Sequence, residues 1–245
     1  MAEEPRPALI DMYRSYEACL VRVSVETAKG DLGSGTAFHI GNGYLATARH
    51  VVEDGEVKTL TGNYLDREFE VHEVFAPDDP RIDLAIIQSN FELENFIKRT
   101  TSSDGRIVNE FVPLGGHLDD WIGTELVLSR VLALGYPPVP RSNGPVLVAS
   151  DCHVSAVVDR YDSPHPNFIL SLMSRGGFSG GPAISEYGFL LGVMNQSLTD
   201  GGKPAELGYM AALSIEPLLE LIMKYDLDCG ENTRHAKTLF GESES

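Results

Sequence analysis

The sequence GTAFHIGNGYLATA, residues 35–48, contains two short apolar segments joined by Gly41-Asn42-Gly43. An Asn-Gly step favours a two-residue hairpin turn, because both central residues of such a turn need positive φ angles. In residues 20–26, which precede this hairpin, valines alternate with polar residues, as in a half-buried strand. Further short apolar segments, separated by turn residues, follow at 70–75, 84–88, 126–134, 146–149, 168–172, 189–194 and 208–213. Many short strands of this kind predict an all-β protein, built as a sandwich or as barrels.

Helical patterns are confined to the two ends of the chain. Residues 8–18 form a weak candidate. Residues 215–225 form a stronger one, because their apolar side chains recur at helical spacing, Ser214 can cap the helix and Pro217 lies in its first turn. The polar segment 98–121 is interpreted as a connector between two halves, and residues 231–245 are expected to be irregular.

Composition and charge exclude several classes of function. The 245 residues include 19 Lys and Arg against 36 Asp and Glu, which gives a net charge of −17. Such an acidic chain repels nucleic acid and anionic membranes, so we expect neither as a partner. No apolar segment is long enough to span a membrane, and the acidic N-terminus does not resemble a signal peptide. The three scattered cysteines argue against a disulfide framework and a zinc site. We therefore predict a cytoplasmic protein without a metal or another cofactor.

The sequence GFSGGP, residues 177–182, carries the clearest chemical signal. Glycines around Ser179 allow the backbone to turn sharply and expose the hydroxyl. They also allow two amide N–H groups to point at one spot, where the negative charge of a reaction intermediate would be stabilised. A serine hydroxyl is a poor nucleophile near neutral pH and needs a base. The motif therefore predicts that the chain supplies a histidine and a carboxylate that orients it.

Two residues fit these roles. His50 follows the predicted strand at 44–48, where a side chain can project into a cleft. Asp83 precedes the apolar segment 84–88, where a partly desolvated carboxylate can accept an imidazole N–H. The other histidines have no metal-ligand spacing and are interpreted as structural or surface residues: His39, His72, His117, His153, His165 and His235.

Three motifs occur in the order His, Asp, Ser: TARHV at residues 47–51, DLAII at 83–87 and GFSGGP at 177–182. In this order they resemble the trypsin/chymotrypsin-like serine peptidases, and more particularly the disulfide-free HtrA-type branch. Two further segments agree. GSGTAF at 33–38 resembles the strand before the catalytic histidine, and LALGYP at 132–137 resembles the strand end that opens the second barrel. The resemblance covers about residues 18–215.

The resemblance implies two six-stranded antiparallel β-barrels with the active site in the cleft between them, followed by a C-terminal helix. The expected first barrel, at residues 18–112, carries His50 and Asp83, and the second, at 113–213, carries Ser179. The remaining expected segments are an N-terminal segment at 1–17, a C-terminal helix at 214–229 and a polar tail at 230–245.

Carried over residue by residue, the resemblance implies that Ser179 is the nucleophile, His50 the general base and Asp83 the acid that orients His50. The amides of Gly177 and Ser179 would form the oxyanion hole. The implied activity is that of a serine endopeptidase, which hydrolyses polypeptide substrates through an acyl-enzyme on Ser179.

Two positions depart from the secreted trypsins. Val51 follows His50 where those enzymes carry a disulfide cysteine. Phe178 precedes Ser179 where they carry an aspartate that pairs with a freed N-terminus. That ion pair cannot form here, so activation by N-terminal processing is not expected. No PDZ-like domain is recognisable after the peptidase region, unlike the full HtrA architecture.

The resemblance also implies a substrate-binding pocket. Its six residues are Leu172, Met173 and Ser174 on one wall, and Asn195, Gln196 and Ser197 on the other. Because neither segment contains an acid, a substrate Lys or Arg would be costly to bury there, and we expect small or medium apolar residues before the scissile bond. Substrate is expected to add as a strand beside residues 195–197. An ordinary core role for Leu172 and Met173 is an equal alternative.

Two other functions compete with this hypothesis. GFSGG also fits the Gly-x-Ser-x-Gly elbow of α/β-hydrolases, but that fold needs alternating helices and strands and a histidine after the serine. The only later histidine is His235 in the polar tail, so this alternative is rejected. The second stays open: a catalytically silent peptidase fold that binds a partner, or a peptidase whose oxyanion hole an activating protein partner must organise.

Overall fold

Strands make up most of the regular secondary structure of the protein, which is described by a computed structural model. It describes residues 8–27, 29–53, 55–62, 69–91, 108–116, 125–161, 163–173, 176–195, 199–200, 203–204 and 209–241. The strands are β1 (Leu20–Thr27), β2 (Leu32–Gly41), β3 (Tyr44–Thr47), β4 (Gly55–Thr61), β5 (Val71–Phe75), β6 (Ala85–Ser89), β7 (Arg130–Gly135), β8 (Val148–Val158), β9 (Asn167–Leu170), β10 (Pro182–Ser185), β11 (Leu190–Met194), β12 (Thr199–Asp200), β13 (Lys203–Pro204) and β14 (Met210–Ser214). The helices are α1 (Leu9–Tyr16), α2 (Arg49–Val52), α3 (Glu216–Lys224) and α4 (Glu231–Leu239), with a 3₁₀ turn at Glu17–Cys19.

The first six strands form one antiparallel sheet in the order β4-β1-β2-β3-β6-β5. β2 and β3 form the predicted hairpin, and its turn residues Asn42 and Gly43 have φ angles of 46° and 82°. Positive φ at both positions is what this two-residue turn requires. The sheet curls into a half-barrel, and near its edges the Phe69 amide donates to the Leu60 carbonyl at 3.4 Å.

The later strands close into a six-stranded antiparallel barrel in the order β10-β11-β14-β9-β8-β7. Its interior is apolar and includes Val131, Phe168 and Leu170. The predicted double-barrel, chymotrypsin-like fold with a C-terminal helix is therefore confirmed. The helix differs in one detail: Ile215 occupies the N-cap position of α3, so Ser214, the predicted cap, ends β14 instead.

Residues 112–114 cross from one barrel to the other. The Val112 amide donates to the His39 carbonyl of β2 at 2.9 Å, and the Leu190 amide of β11 donates to the Pro113 carbonyl at 2.9 Å. The predicted domain limits stay a prediction. Most of the predicted connector at 98–121 lies outside the described residues.

The C-terminal residues correct the prediction of an irregular polar tail, because α4 spans Glu231–Leu239. The buried Asn232 side chain donates to the carbonyls of Ile40 at 2.7 Å and Val112 at 3.0 Å. It also accepts a hydrogen bond from the Leu114 amide at 3.0 Å. A helix that docks through a polar side chain shows little apolar periodicity, so hydropathy could not reveal it.

The two barrels meet at Gly180, which has a φ angle of 83°. A methyl group on its Cα would collide with the Thr36 carbonyl oxygen and Thr47 Oγ1, and would lie 2.9 Å from the Ala48 nitrogen. Glycine therefore allows the turn after Ser179 to lie directly on the hairpin of the first barrel.

Within the described residues, no helix is both long and apolar enough to cross a membrane.

We expect Asn232→Ala to lower the free energy of unfolding by about 2–4 kcal/mol, because three buried backbone groups lose their hydrogen-bond partner. Urea denaturation measures the change. The control is Thr238→Ala, since this exposed hydroxyl bonds only the Arg234 carbonyl of its own helix, and it should shift stability by less than about 0.5 kcal/mol. Equal urea midpoints for Asn232→Ala and the control would contradict the docking role of Asn232.

We expect Gly180→Ala to lower the free energy of unfolding by at least about 2 kcal/mol, because a positive φ and a steric collision add together. Thermal unfolding tests this change. Gly144→Ala is the matched control, since a Cβ at Gly144 meets no atom within 4 Å. Equal unfolding temperatures for Gly180→Ala and Gly144→Ala would contradict the close approach of the two barrels at Gly180.

Candidate active site

His50 lies in α2, the single helical turn that follows β3. The chain is extended at Ala48 and enters the helix at Arg49. The Arg49 side chain donates to the Pro77 carbonyl at 3.1 Å, which ties this turn to the segment that leads to Asp83. The imidazole of His50 is about one-third exposed, at 33%.

Asp83 lies beside His50 because β6, the strand that follows Asp83, pairs with β3. The His50 Nδ1 lies 2.8 Å from Asp83 Oδ2 and 3.1 Å from Oδ1, and the backbone amide of His50 donates to Oδ1 at 3.0 Å. An ionised carboxylate only accepts hydrogen bonds, so Nδ1 carries the proton. The Nε2 of the neutral ring is then free to accept one.

The charge of Asp83 is stabilised by its neighbours. Burial, the largest single effect, raises the pKa of the carboxyl. The hydrogen bond from the His50 ring, the positive charge that this ring carries when protonated and the backbone amides of His50 and Arg49 together outweigh burial and hold the pKa below its usual value of 3.8. Asp83 is therefore an anion at neutral pH, as an acid that orients an imidazole must be.

Ser179 lies in a tight turn held by backbone hydrogen bonds. The Gly181 amide donates to the Phe178 carbonyl at 2.9 Å, and the Gly180 amide donates to the Met194 carbonyl of β11 at 2.6 Å. Phe178, Gly180 and Gly181 are buried, whereas Ser179 is only half-buried. The glycine-rich turn thus leaves Ser179 partly exposed while its neighbours are buried.

Thr36 of β2 joins this turn to the first barrel. Its amide donates to the Ser179 carbonyl at 2.9 Å, and its hydroxyl donates to the Gly177 carbonyl at 2.6 Å. Its own carbonyl accepts a hydrogen bond from Thr47 Oγ1 at 2.7 Å. The turn that carries Ser179 therefore docks on the strand that leads to His50.

His50 and Ser179 are not joined by a hydrogen bond. Among the described residues, the His50 Nε2 and the Ser179 hydroxyl form no hydrogen bond. Such bonds are commonly long in unliganded enzymes and tighten when substrate binds. The structure thus brings His50 and Asp83 into direct contact, and brings the backbone around Ser179 against the strand before His50.

The amides of Gly177 and Ser179 are free to donate. Within the described part of the chain, neither N–H has a hydrogen-bond partner. Gly177 has a φ of 90°, and a Cβ there would lie 2.5 Å from the Tyr136 carbonyl oxygen. Two unpaired amides on either side of one residue can together bind an oxyanion.

Phe178 fills the position at which the trypsins carry an ion-paired aspartate. Its side chain is buried in the core of the second barrel and packs close to Gly135. An apolar contact therefore holds the residue before Ser179. Because Phe178 is uncharged, it needs no ammonium group as an ion-pair partner.

Leu172 and Met173 line a cavity of about 270 Å³. Its other lining residues are Pro137, Pro138, Val139, Pro140, Val148, Ser150 and Phe178. All the lining side chains are uncharged, and Met173 is 60% exposed. Asn195, predicted for the opposite wall, does not line this cavity.

Asn195 follows β11 and is buried, with its amide donating to the Ala211 carbonyl at 3.0 Å. Its Oδ1 has no hydrogen-bond partner among the described residues. The other three residues predicted to bind substrate lie outside the described residues: Ser174, Gln196 and Ser197.

Outside the site, His39 and the three cysteines are titratable groups enclosed in the protein interior. His39 is buried, with Nδ1 donating to the Glu110 carbonyl at 2.6 Å and Nε2 accepting from the Gly43 amide at 3.0 Å. Burial lowers the pKa of His39 to about 4, so it stays neutral. The cysteines Cys19, Cys152 and Cys229 are free and buried. In the described part of the chain, no group of His, Cys, Asp and Glu side chains is arranged to hold a metal ion.

Thr36 is the site residue that sequence reasoning missed. It lies in the motif GSGTAF, but no role was assigned to it. The only indication in the sequence was a hydroxyl side chain next to residues that belong to the core. The partners of that hydroxyl are 100 and 141 residues away in sequence, so no local pattern could identify them.

Comparisons with known proteins agree with this geometry. The family model for the trypsin-like peptidase domain matches residues 33–193. Among solved structures, the chain is similar to the active form of the Rv3671c protease from M. tuberculosis, with 20% identity and a TM-score of 0.62 over 90% of this chain and 87% of that one. No curated protein sequence gives a significant match.

Two further solved structures have the same fold. The HtrA-type protease AlgW, solved with a tripeptide, is 17% identical, with a TM-score of 0.65 over 89% of this chain and 63% of that one. The serine endoprotease from Yersinia pestis is 18% identical, with a TM-score of 0.61 over 90% of this chain and 67% of that one. Because the family model matches well over half of the sequence, the chain belongs to the trypsin-like peptidase family and is by family a serine endopeptidase.

Proposed function

We propose that this protein hydrolyses peptide bonds through an acyl-enzyme on Ser179, with His50 as general base and Asp83 as the acid that orients it. The observation that carries the proposal is the contact of 2.8 Å between His50 Nδ1 and Asp83 Oδ2. This contact leaves Nε2 as the basic nitrogen of the imidazole. Two unpaired amides beside Ser179 supply the second requirement, a site for negative charge.

In this mechanism Ser179 Oγ attacks the carbonyl carbon of the scissile bond while His50 Nε2 takes the hydroxyl proton. The amides of Gly177 and Ser179 donate hydrogen bonds to the oxyanion of the tetrahedral intermediate. His50 then gives its proton to the leaving amine, and the C–N bond breaks. Water, deprotonated by His50, hydrolyses the acyl-enzyme and regenerates the hydroxyl.

The peptidase fold implies polypeptide substrates. We propose that small or medium apolar side chains precede the scissile bond, because Leu172 and Met173 line an uncharged cavity and burial of an unpaired substrate cation would be costly. The absence of nucleic-acid and membrane partners stays a prediction from the net charge, and so does the cytoplasmic location.

A partner-activated peptidase is the second candidate function. The unmade hydrogen bond between His50 and Ser179 favours it, because a bound partner or substrate would have to close this contact. If neither substrate nor partner brings His50 and Ser179 into hydrogen-bond contact, the protein is a catalytically silent binding module.

A fluorophosphonate probe, which reacts only with an activated serine, distinguishes these candidates. We expect the wild type to be labelled and to cleave a peptide library, whereas Ser179→Ala should not be labelled and His50→Ala should lose cleavage. The control is Ser142→Ala, because Ser142 is an exposed serine that bonds only loop carbonyls, and it should label like the wild type. Labelling of the wild type only after a peptide or partner is added would identify the activated form. No labelling under any condition would favour the binding module.

The pH profile tests Asp83. Its lowered pKa means that Asp83 stays ionised above about pH 4 and stabilises the folded state there, a contribution lost as the pH falls through that pKa. Between pH 5 and 8, loss of the Asp83 charge should therefore not limit activity, and a loss of activity caused by this carboxylate should appear only as the pH approaches its lowered pKa.

Replacement of this carboxylate tests its role directly. Asp83→Asn should lower kcat by roughly 10⁴-fold, because the wrong imidazole tautomer is then favoured. Steady-state hydrolysis measures the change, and the control is Asp79→Asn, at a partly exposed residue that pairs with Arg81. Near-normal hydrolysis by Asp83→Asn would remove Asp83 from the mechanism.

A further inference from the structure

The two proposed oxyanion donors belong to different peptide planes, and the structure holds these planes in different ways. The Ser179 N–H shares a plane with the Phe178 carbonyl, because each peptide unit is planar. That carbonyl accepts a hydrogen bond from the Gly181 amide at 2.9 Å. In a trans peptide the N–H points opposite to the carbonyl. The direction of the Ser179 N–H is therefore fixed within its own turn.

The Gly177 N–H lacks such an anchor. It shares its plane with the Gly176 carbonyl, which has no hydrogen-bond partner among the described residues. Glycine at both positions also removes the side-chain restrictions on rotation of this plane. The orientation of the Gly177 donor must therefore be set from the other side of its Cα, through the Gly177 carbonyl.

Thr36 holds that carbonyl from the opposite barrel. Its hydroxyl donates to the Gly177 oxygen at 2.6 Å and accepts a hydrogen bond from the Tyr136 amide at 2.9 Å. The hydroxyl thus both donates and accepts a hydrogen bond, and these two bonds fix the orientation of its O–H group. The Thr36 side chain is completely buried, so water cannot replace it as a partner of either group.

We propose that Thr36 is a positioning residue for the oxyanion hole, which holds the Gly177 backbone so that its N–H points at the reacting oxygen. The inference rests on the proposed function of Ser179. Thr36 touches no substrate and acts only through Gly177. The first barrel thereby contributes to oxyanion stabilisation as well as supplying the base and the acid.

A merely structural role for Thr36 makes a different prediction. Loss of a buried hydrogen bond would reduce stability, and any loss of activity would follow the unfolded fraction. A misdirected oxyanion donor instead lowers kcat in the folded enzyme and leaves KM almost unchanged, because the hydrogen bond is strongest in the transition state. It also leaves the shape of the pH profile unchanged, because His50 and Asp83 are untouched.

The test compares Thr36→Val, which keeps the shape and removes the hydroxyl, with Thr36→Ser, which keeps the hydroxyl. At a temperature where circular dichroism shows both variants folded, we expect Thr36→Val to lower kcat by at least about 10-fold, up to the roughly 10²–10³-fold cost of a lost oxyanion donor. Its affinity for a peptide boronic acid, which mimics the tetrahedral intermediate, should fall by the same factor. Thr36→Ser should restore most of both quantities.

Thr59→Val is the matched control, because Thr59 lies in β4, away from the Ser179 turn, and it should leave kcat unchanged. If Thr36→Val does not fold, Thr36→Cys replaces it, since a thiol is a weak hydrogen-bond donor of similar size and should give an intermediate loss. Wild-type kcat and boronic acid affinity in the folded Val or Cys variant would overturn the inference. So would a loss confined to KM. An inactive wild type would instead overturn the proposed function, and this inference with it.

Discussion

One buried threonine links the parts of this molecule on which the proposed chemistry depends. Thr36 uses its amide, carbonyl and hydroxyl at once, and its partners belong to the Ser179 turn, to the strand before His50 and to the end of β7. Each of these bonds is shielded from water, so an unmade one would leave a buried polar group unpaired, at a cost of about 1–3 kcal/mol. The relative position of the barrels near the cleft is therefore set by hydrogen bonds as well as by apolar packing.

The same junction explains why glycine is needed beside the serine. Gly180 lies against the hairpin of the first barrel, and Gly177 lies against the backbone at Tyr136. Both have positive φ angles, so each serves two purposes: it permits the turn and it permits the close approach. Phe178, between Gly177 and Ser179, packs into the core of the second barrel. The turn is thus held by an apolar side chain on one side and by Thr36 on the other, without the ion pair that the trypsins use.

Local sequence patterns identified most of the strands and much of the chemistry. The Asn-Gly turn, the alternation in β1 and the glycines around Ser179 are properties of neighbouring residues, and all are found where they were expected. Other elements were missed for physical reasons. β4 was not predicted because charged residues occupy its alternate exposed positions and leave no continuous apolar segment, and β10 has only four residues. α4 docks through Asn232, whose hydrogen bonds stabilise the helix without an apolar stripe. Ser214 ends a strand, because the pairing of β14 outweighs a capping preference.

Local sequence patterns predict the residue types that a serine peptidase needs, their order along the chain and the all-β class, because turn chemistry and hydrophobic period act over a few residues. Which of these groups come into contact depends on the three-dimensional fold. The contact of His50 with Asp83 depends on the pairing of β3 with β6. The role of the Thr36 hydroxyl depends on partners that lie 100 and 141 residues away along the chain. The cavity at Leu172 and Met173 depends on a loop from another part of the barrel. Such contacts are set by the packing of whole strands, which no short stretch of sequence records.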